Sequence, residues 1–203
     1  MAKAYDRVEW PFFEAMMLQL GFDGKFCHWI MKCVSTVNYS IMLNGGPTRG
    51  IRQGDPLSPF LFLICAEGLS AMIKEAEEFG GLHGYQFKTH GTSVSHLFFA
   101  DDSVLFCKAE DGEVELLKHI LRGYEHGSGQ RINLDKSSMF FSTKCLESTC
   151  KHMADILGVQ RNNGFGKYLG LRADFGASKK AVFEGVHNRL TTKLIGWSEQ
   201  YLT

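Results

Sequence analysis

The sequence has no apolar run long enough to cross a bilayer. Its longest, FLFLICA at 60–66, ends at Glu67, whereas a spanning helix needs about 20 apolar residues. The opening MAKAYDRVEW carries charge with no apolar h-region behind it, so no secretory signal is expected. The expected location is intracellular, with nucleus and cytoplasm both open. The six cysteines, Cys27, Cys33, Cys65, Cys107, Cys145 and Cys150, show no CxxC pair and no Cys/His ligand spacing. They sit among apolar neighbours and are read as plain buried thiols, with no structural disulfides and no zinc site. Charge of one sign is also missing, because 22 Lys and Arg balance 22 Asp and Glu. Net charge therefore names no nucleic-acid partner.

What is present suits a globular domain. The 203 residues are 44% hydrophobic and 22% charged, enough to bury a sizeable core in one unit over 1–203. Helix and strand signals alternate, with no repeat and no low-complexity linker. Pro11 suits a first helical turn, Phe12, Phe13, Met16, Met17 and Leu20 share a helical face, and Gly21 stops it. Asp23 can cap a second helix carrying Phe26, Ile30, Val34 and Val37. NYSIMLNGG reads as a strand entering a turn. Ser58 and Pro59 open a long helix to about Glu78. Residues 94–99 and 103–107 read as strands, and Val114, Leu117, Leu121 and Tyr124 mark a helix closed by Gly127. A strand at 138–142, a helix at 146–157, a strand at KYLGL and a last helix over 178–197 complete the reading. The implied class is α+β, a small antiparallel sheet with helices packed on one face.

FFADDSVLF, at 98–106, places Asp101 and Asp102 side by side in an otherwise apolar run. A tight hairpin accommodates aspartate, whose side chain bonds the local backbone and tolerates unusual dihedral angles. Two adjacent carboxylates near a hydrophobic sheet repel, however, and one would be driven towards protonation unless a cation sits there. A hard divalent cation with oxygen ligands removes the conflict. On these residues alone, a polar turn and a metal site stand as alternatives. GIRQGDPLSPFLF, at 50–62, adds glycines that let a ligand approach the backbone, followed by a proline-primed helix whose N-terminus favours anionic groups.

Five ordered segments, KAYDRVEW, GIRQGDPLSPFLF, HLFFADDSVLF, GQRINLDKSSMFF and KYLGL, resemble in order and spacing the palm motifs of reverse transcriptases. The resemblance is to the non-LTR, LINE-type retrotransposon enzymes, in particular the plant-type ones, and runs from Lys3 to about Trp197. It implies RNA-directed DNA polymerisation, a nucleotidyltransferase reaction with two Mg²⁺ ions, and a palm fold. The implied partners are an RNA template, a DNA primer and a dNTP. By the same resemblance Asp101 is the metal-bridging carboxylate and Asp102 its supporting neighbour. Gln53 and Gly54 lie against the incoming nucleotide and template, and Lys136 stands near the pyrophosphate. Tyr168 and Gly170, in YLG, support the primer end, and Tyr5 is the aromatic residue under the sugar that disfavours a 2′-hydroxyl.

One position departs from the pattern. In the family pattern the second metal-bridging aspartate is followed by two variable residues and then KA(Y/F)D, so here it would fall immediately before Met1; Asp6 belongs to the motif but does not carry metal. The fingers that precede this region in the family and the thumb that follows it are not seen either, so the chain is expected to be a palm-centred fragment, inactive by itself. Three functions follow as alternatives: a polymerase palm completed by flanking sequence, a non-catalytic retroelement remnant that binds nucleic acid weakly, and an unrelated divalent-metal domain sharing only the hairpin. The five motifs argue against the third. His83, His90 and His96 show no metal arrangement and are read as surface or strand histidines. KEAEE, at 74–78, reads as a solvated helix end, and Trp10, Trp29 and Trp197, which could stack on bases, are read as core or interface packing residues.

Overall fold

A computed structural model describes residues 8–36, 58–87, 91–162, 167–168, 171–172, 187 and 190–191. Helix α1 spans Trp10–Gln19 with Pro11 in its first turn, where no intrahelical donor is required. Helix α2 spans Gly24–Ser35 behind Asp23, whose side chain accepts from the Lys25 backbone N–H at 2.9 Å. Helix α3 spans Ser58–Glu78, α4 Asp111–Ser128 and α5 Glu147–Leu157. Each meets its expected position to within one or two residues.

Two clusters make up most of the core, and α3 contributes to both. Phe13 and Met17 of α1, Cys27 of α2, and Leu61 and Cys65 of α3 pack with Val8. Helices α1 and α3 come close at Gly68, where an added Cβ would lie 2.9 Å from Phe12 Cζ and 3.2 Å from Met16 Sδ. Further along α3, Leu69 and Ile73 pack with Leu82 and with Leu117, Ile120 and Tyr124 of α4. Each such fully buried side chain contributes about 1.5–3 kcal/mol of transfer free energy. The Tyr124 hydroxyl donates to the Cys65 carbonyl at 3.3 Å, and its ring meets Phe12 edge-on at 6.0 Å. Burial pushes the Tyr124 phenol upwards and the Cys65 thiol up to about 12, so both stay protonated.

The strands form short ladders. Tyr85–Gln86 (β1) pairs antiparallel with Ser93–Val94 (β2), and His96–Phe99 (β3) pairs antiparallel with Asp102–Leu105 (β4). Ser138–Met139 (β5) runs parallel to Gln160–Arg161 (β6), with α5 as the crossover between them. Lys167–Tyr168 (β7) pairs antiparallel with Leu171–Arg172 (β8).

The α+β class holds, while the sheet is divided: the described residues carry four two-stranded ladders, three antiparallel and one parallel. The expected strand at 94–99 breaks at buried Ser95, and the one at 138–142 is paired only at Ser138 and Met139. KYLGL resolves into two strands paired with each other rather than one. Helix α4 closes at Gly129 and not at Gly127. Gly129 takes the left-handed conformation, φ 74°, and its N–H bonds the Glu125 carbonyl. The strand expected at NYSIMLNGG and most of the last helix lie outside the described residues; within the latter, His187, Leu190 and Thr191 are helical.

Candidate active site

The β3–β4 hairpin is built by period-two alternation. His96 and Phe98 turn towards α3, with Phe98 against the core clusters. Leu97 and Phe99 turn outwards and are 48% and 59% exposed. Because residues directly opposite in an antiparallel ladder share a face, the register Phe99↔Asp102 places Asp102 beside Phe99 on the outer side. The connection is then a two-residue turn, Ala100–Asp101. This corrects the expectation of a turn made of both aspartates: Asp101 lies in the turn and Asp102 opens β4.

Such a turn needs a positive φ at its first position, normally given to glycine. Here that position is Ala100, at φ 49°, the one non-glycine residue with positive φ among those described. A left-handed alanine costs about 1–2 kcal/mol. That cost is tolerated because both sides of the turn are anchored. The Ser70 hydroxyl of α3 lies 2.9 Å from His96 Nε2, Ser95 Oγ lies 3.1 Å from its Nδ1, and the Phe106 N–H donates to the Ser95 carbonyl at 2.8 Å.

Both carboxylates are exposed at the hairpin tip. As hard, anionic oxygen donors they fit a divalent cation such as Mg²⁺ by chemistry. Among the described residues no group of three or more His, Cys, Asp or Glu side chains converges there, so further donors would come from water, substrate phosphates or residues outside those described. Lys136 is exposed at the end of a 3-10 turn, Leu134–Lys136, entered through Asn133, whose side chain accepts the Lys136 N–H at 3.2 Å. Tyr168 lies on β7 opposite Leu171. Of the expected site residues that are described, only Asp101 and Asp102 share a hairpin. Tyr5, Gln53, Gly54 and Gly170 lie outside the described residues.

The sequence reading missed a carboxylate that organises this region. Glu113, buried in the first turn of α4, accepts from the backbone N–H groups of His83 at 3.0 Å and Lys108 at 2.9 Å. The His83 ring lies 2.6 Å away and Lys108 Nζ 3.9 Å away. Burial works to raise the Glu113 pKa, but the Lys108 and His83 N–H groups and the His83 ring more than offset it, and the net direction is downward. His83 is paired with Glu113 and His96 lies on β3, while His90 lies outside the described residues. Helix-start position alone could have marked Glu113 as a candidate. Trp10 packs against Phe13, with ring centroids 6.5 Å apart, whereas Trp29 is 63% exposed and not in the core.

Comparison with known proteins agrees with the motif series. The reverse transcriptase (RNA-dependent DNA polymerase) family matches residues 1–173. An uncharacterized mitochondrial protein of Arabidopsis thaliana is 49% identical over 57 residues, 28% of this chain and 47% of the relative. A retrovirus-related Pol polyprotein from type-1 retrotransposable element R2 of Popillia japonica is 27% identical over 142 residues, 66% of this chain and 22% of the relative. The transposon TX1 149 kDa protein of Xenopus laevis is 27% identical over 143 residues, 67% of this chain and 10% of the relative. The chain spans less than half the length of each of these relatives. It belongs to the reverse transcriptase family, as a reverse transcriptase domain of the non-LTR retrotransposon kind.

Proposed function

We propose that residues 1–203 form the palm region of a domain that, completed by flanking sequence, extends a DNA primer on an RNA template by phosphoryl transfer. The observation that carries this reading is the pair Asp101–Asp102 at the tip of a hairpin held in a strained turn and anchored to α3. Strain at a ligand-bearing turn is the usual mark of a site whose side chains must be aimed. Asp101 would hold the divalent cation directly, with Asp102 beside it. When bound, Mg²⁺ supplies activation of the primer hydroxyl and neutralisation of charge on the triphosphate. Lys136 would offer its ammonium to the departing pyrophosphate, where a fixed cation offsets developing charge. Gln53 and Gly54 would form the floor for nucleotide and template, Tyr5 would exclude a 2′-hydroxyl, and Tyr168 with Gly170 would steady the primer end.

The test is primer extension on an RNA template. Because the family's other metal-bridging aspartate would precede Met1, the assay is run on the 203-residue chain and on one carrying upstream sequence with that aspartate. Extension is expected from the longer chain and its loss on Asp101→Asn. Extension that survives Asp101→Asn overturns the assignment of Asp101. Robust extension by the 203-residue chain alone overturns the need for the upstream carboxylate.

A further inference from the structure

The outward side of α2 has a composition that neither the core nor the hairpin site uses. Its inner side is plain: Cys27 is buried, and Ile30, Met31 and Val34 pack against the first core cluster. On the opposite side stands Trp29, with Lys25 four residues before it and Lys32 three residues after it, so the helical repeat places both lysines on the same face as the indole. Lys25 and Lys32 are exposed, and Trp29 is the most exposed tryptophan described. Along the same edge the rings of Phe22 and Phe26 stack, with centroids 5.7 Å apart and planes at 17°, while remaining 40% and 42% exposed. Helix α2 contains no acidic residue between Gly24 and Ser35. The preceding acid, Asp23, is engaged in the helix cap.

Exposed aromatic faces flanked by lysines on an acid-free helix are two halves of one chemistry. The rings offer stacking planes to unpaired bases, and the ammonium groups offer partners to the phosphates between them. An apolar protein partner would account for the rings but gives no role to the lysines. A duplex would account for the lysines but leaves the rings without bases to stack on. We propose that this face of α2 binds single-stranded nucleic acid, with Phe26 and Trp29 stacking on bases and Lys25 and Lys32 taking phosphates. It rests on the reverse transcriptase reading only in that such a domain handles unpaired strands.

The experiment is fluorescence anisotropy of labelled oligo(U) and oligo(dT) with the full 203-residue chain, without Mg²⁺ and without nucleotide, so that failure of the polymerase chemistry leaves the readout untouched. Phe26→Ala with Trp29→Ala is expected to weaken binding by about tenfold or more, because each stacked base contributes a factor of that order. Trp29→Tyr, which keeps an aromatic face, should retain most of the affinity, and Trp29→Leu should not. Lys25→Gln with Lys32→Gln should reduce the slope of log affinity against log salt by about 1 to 2. The preference between the two oligonucleotides identifies RNA or DNA as the strand. Circular dichroism melts should be unchanged for the Trp29 and lysine variants and shift by only a few degrees for Phe26→Ala, whose ring also stacks on Phe22. The proposal is overturned if the parent chain binds neither strand, or if the aromatic pair can be removed without loss. It is also overturned if that removal leaves strand binding intact but dissolves a self-associated species in sedimentation, which would make the face a protein interface.

Discussion

The hydroxyl of Ser70 on α3 lies 2.9 Å from Nε2 of His96 on β3, fastening the hairpin that bears Asp101 to the longest helix of the core. Burial, with Lys74 nearby, pulls the His96 pKa below its ordinary value, against the opposing influence of Glu77 and Glu67. The folded state therefore favours neutral His96, whereas the unfolded chain takes up a proton near pH 6.5. Stability from this group is complete above that pH and declines as pH falls through it. Thermal melts from pH 8 to 5.5 should show this decline, and His96→Asn should flatten it. An unchanged slope in the variant would refute the role given to His96.

Ala100 is the second test point. Ala100→Gly relieves the left-handed strain but adds backbone freedom to the unfolded chain, so a net gain of up to about 1 kcal/mol is expected. Ala100→Val, β-branched at positive φ, should lose more than that. Urea midpoints measure both. If Gly and Val move stability in the same direction, the turn is not strained as described.

Glu113 joins three donors at one buried carboxylate. Glu113→Ala is expected to cost about 2–3 kcal/mol in chemical denaturation, because two backbone N–H groups lose a charged acceptor. Since its pKa is held down in the fold, its contribution is present above the ordinary carboxylate range, about 4.3, and fades as pH falls below it. A variant as stable as the parent at pH 7 would show that the clasp is replaced by water at no cost.

The metal site gives the fourth expectation. Mg²⁺ sheds its water reluctantly and relies on carboxylates together with substrate phosphates. Asp101 and Asp102 without nucleotide should therefore bind it weakly, and titration calorimetry on the 203-residue chain should find no micromolar event. Tight binding would mean that further donors close around the pair.

The helices were legible because each is announced more than once. Asp23 caps α2 and the apolar residues recur at helical spacing; Pro11 opens α1 and Gly21, at φ 86°, ends it. Strand bounds were less legible, since two-residue ladders such as Ser138–Met139 with Gln160–Arg161 are set by what α5 brings alongside rather than by local pattern. Gly127 and Gly129 look alike in sequence, but only Gly129 needs a positive φ; Gly127 stays helical, with Phe12 ring carbons 3.7 and 3.8 Å from where its Cβ would lie. The aspartate pair stood out as charge within an apolar run. The strained alanine beside it did not, because alanine carries no conformational signal of its own.

The Glu113 clasp also bears on how the domain breathes. The excursion between α3 and α4 that carries β3 and β4 is closed on one carboxylate, through the N–H groups of His83 and Lys108. An excursion hasped at its base opens as a unit or not at all. Amide protons along β3 and β4 should therefore exchange with solvent deuterium at a common free energy, and that energy should drop in concert when the hasp is removed, with α1 and α2 keeping their protection.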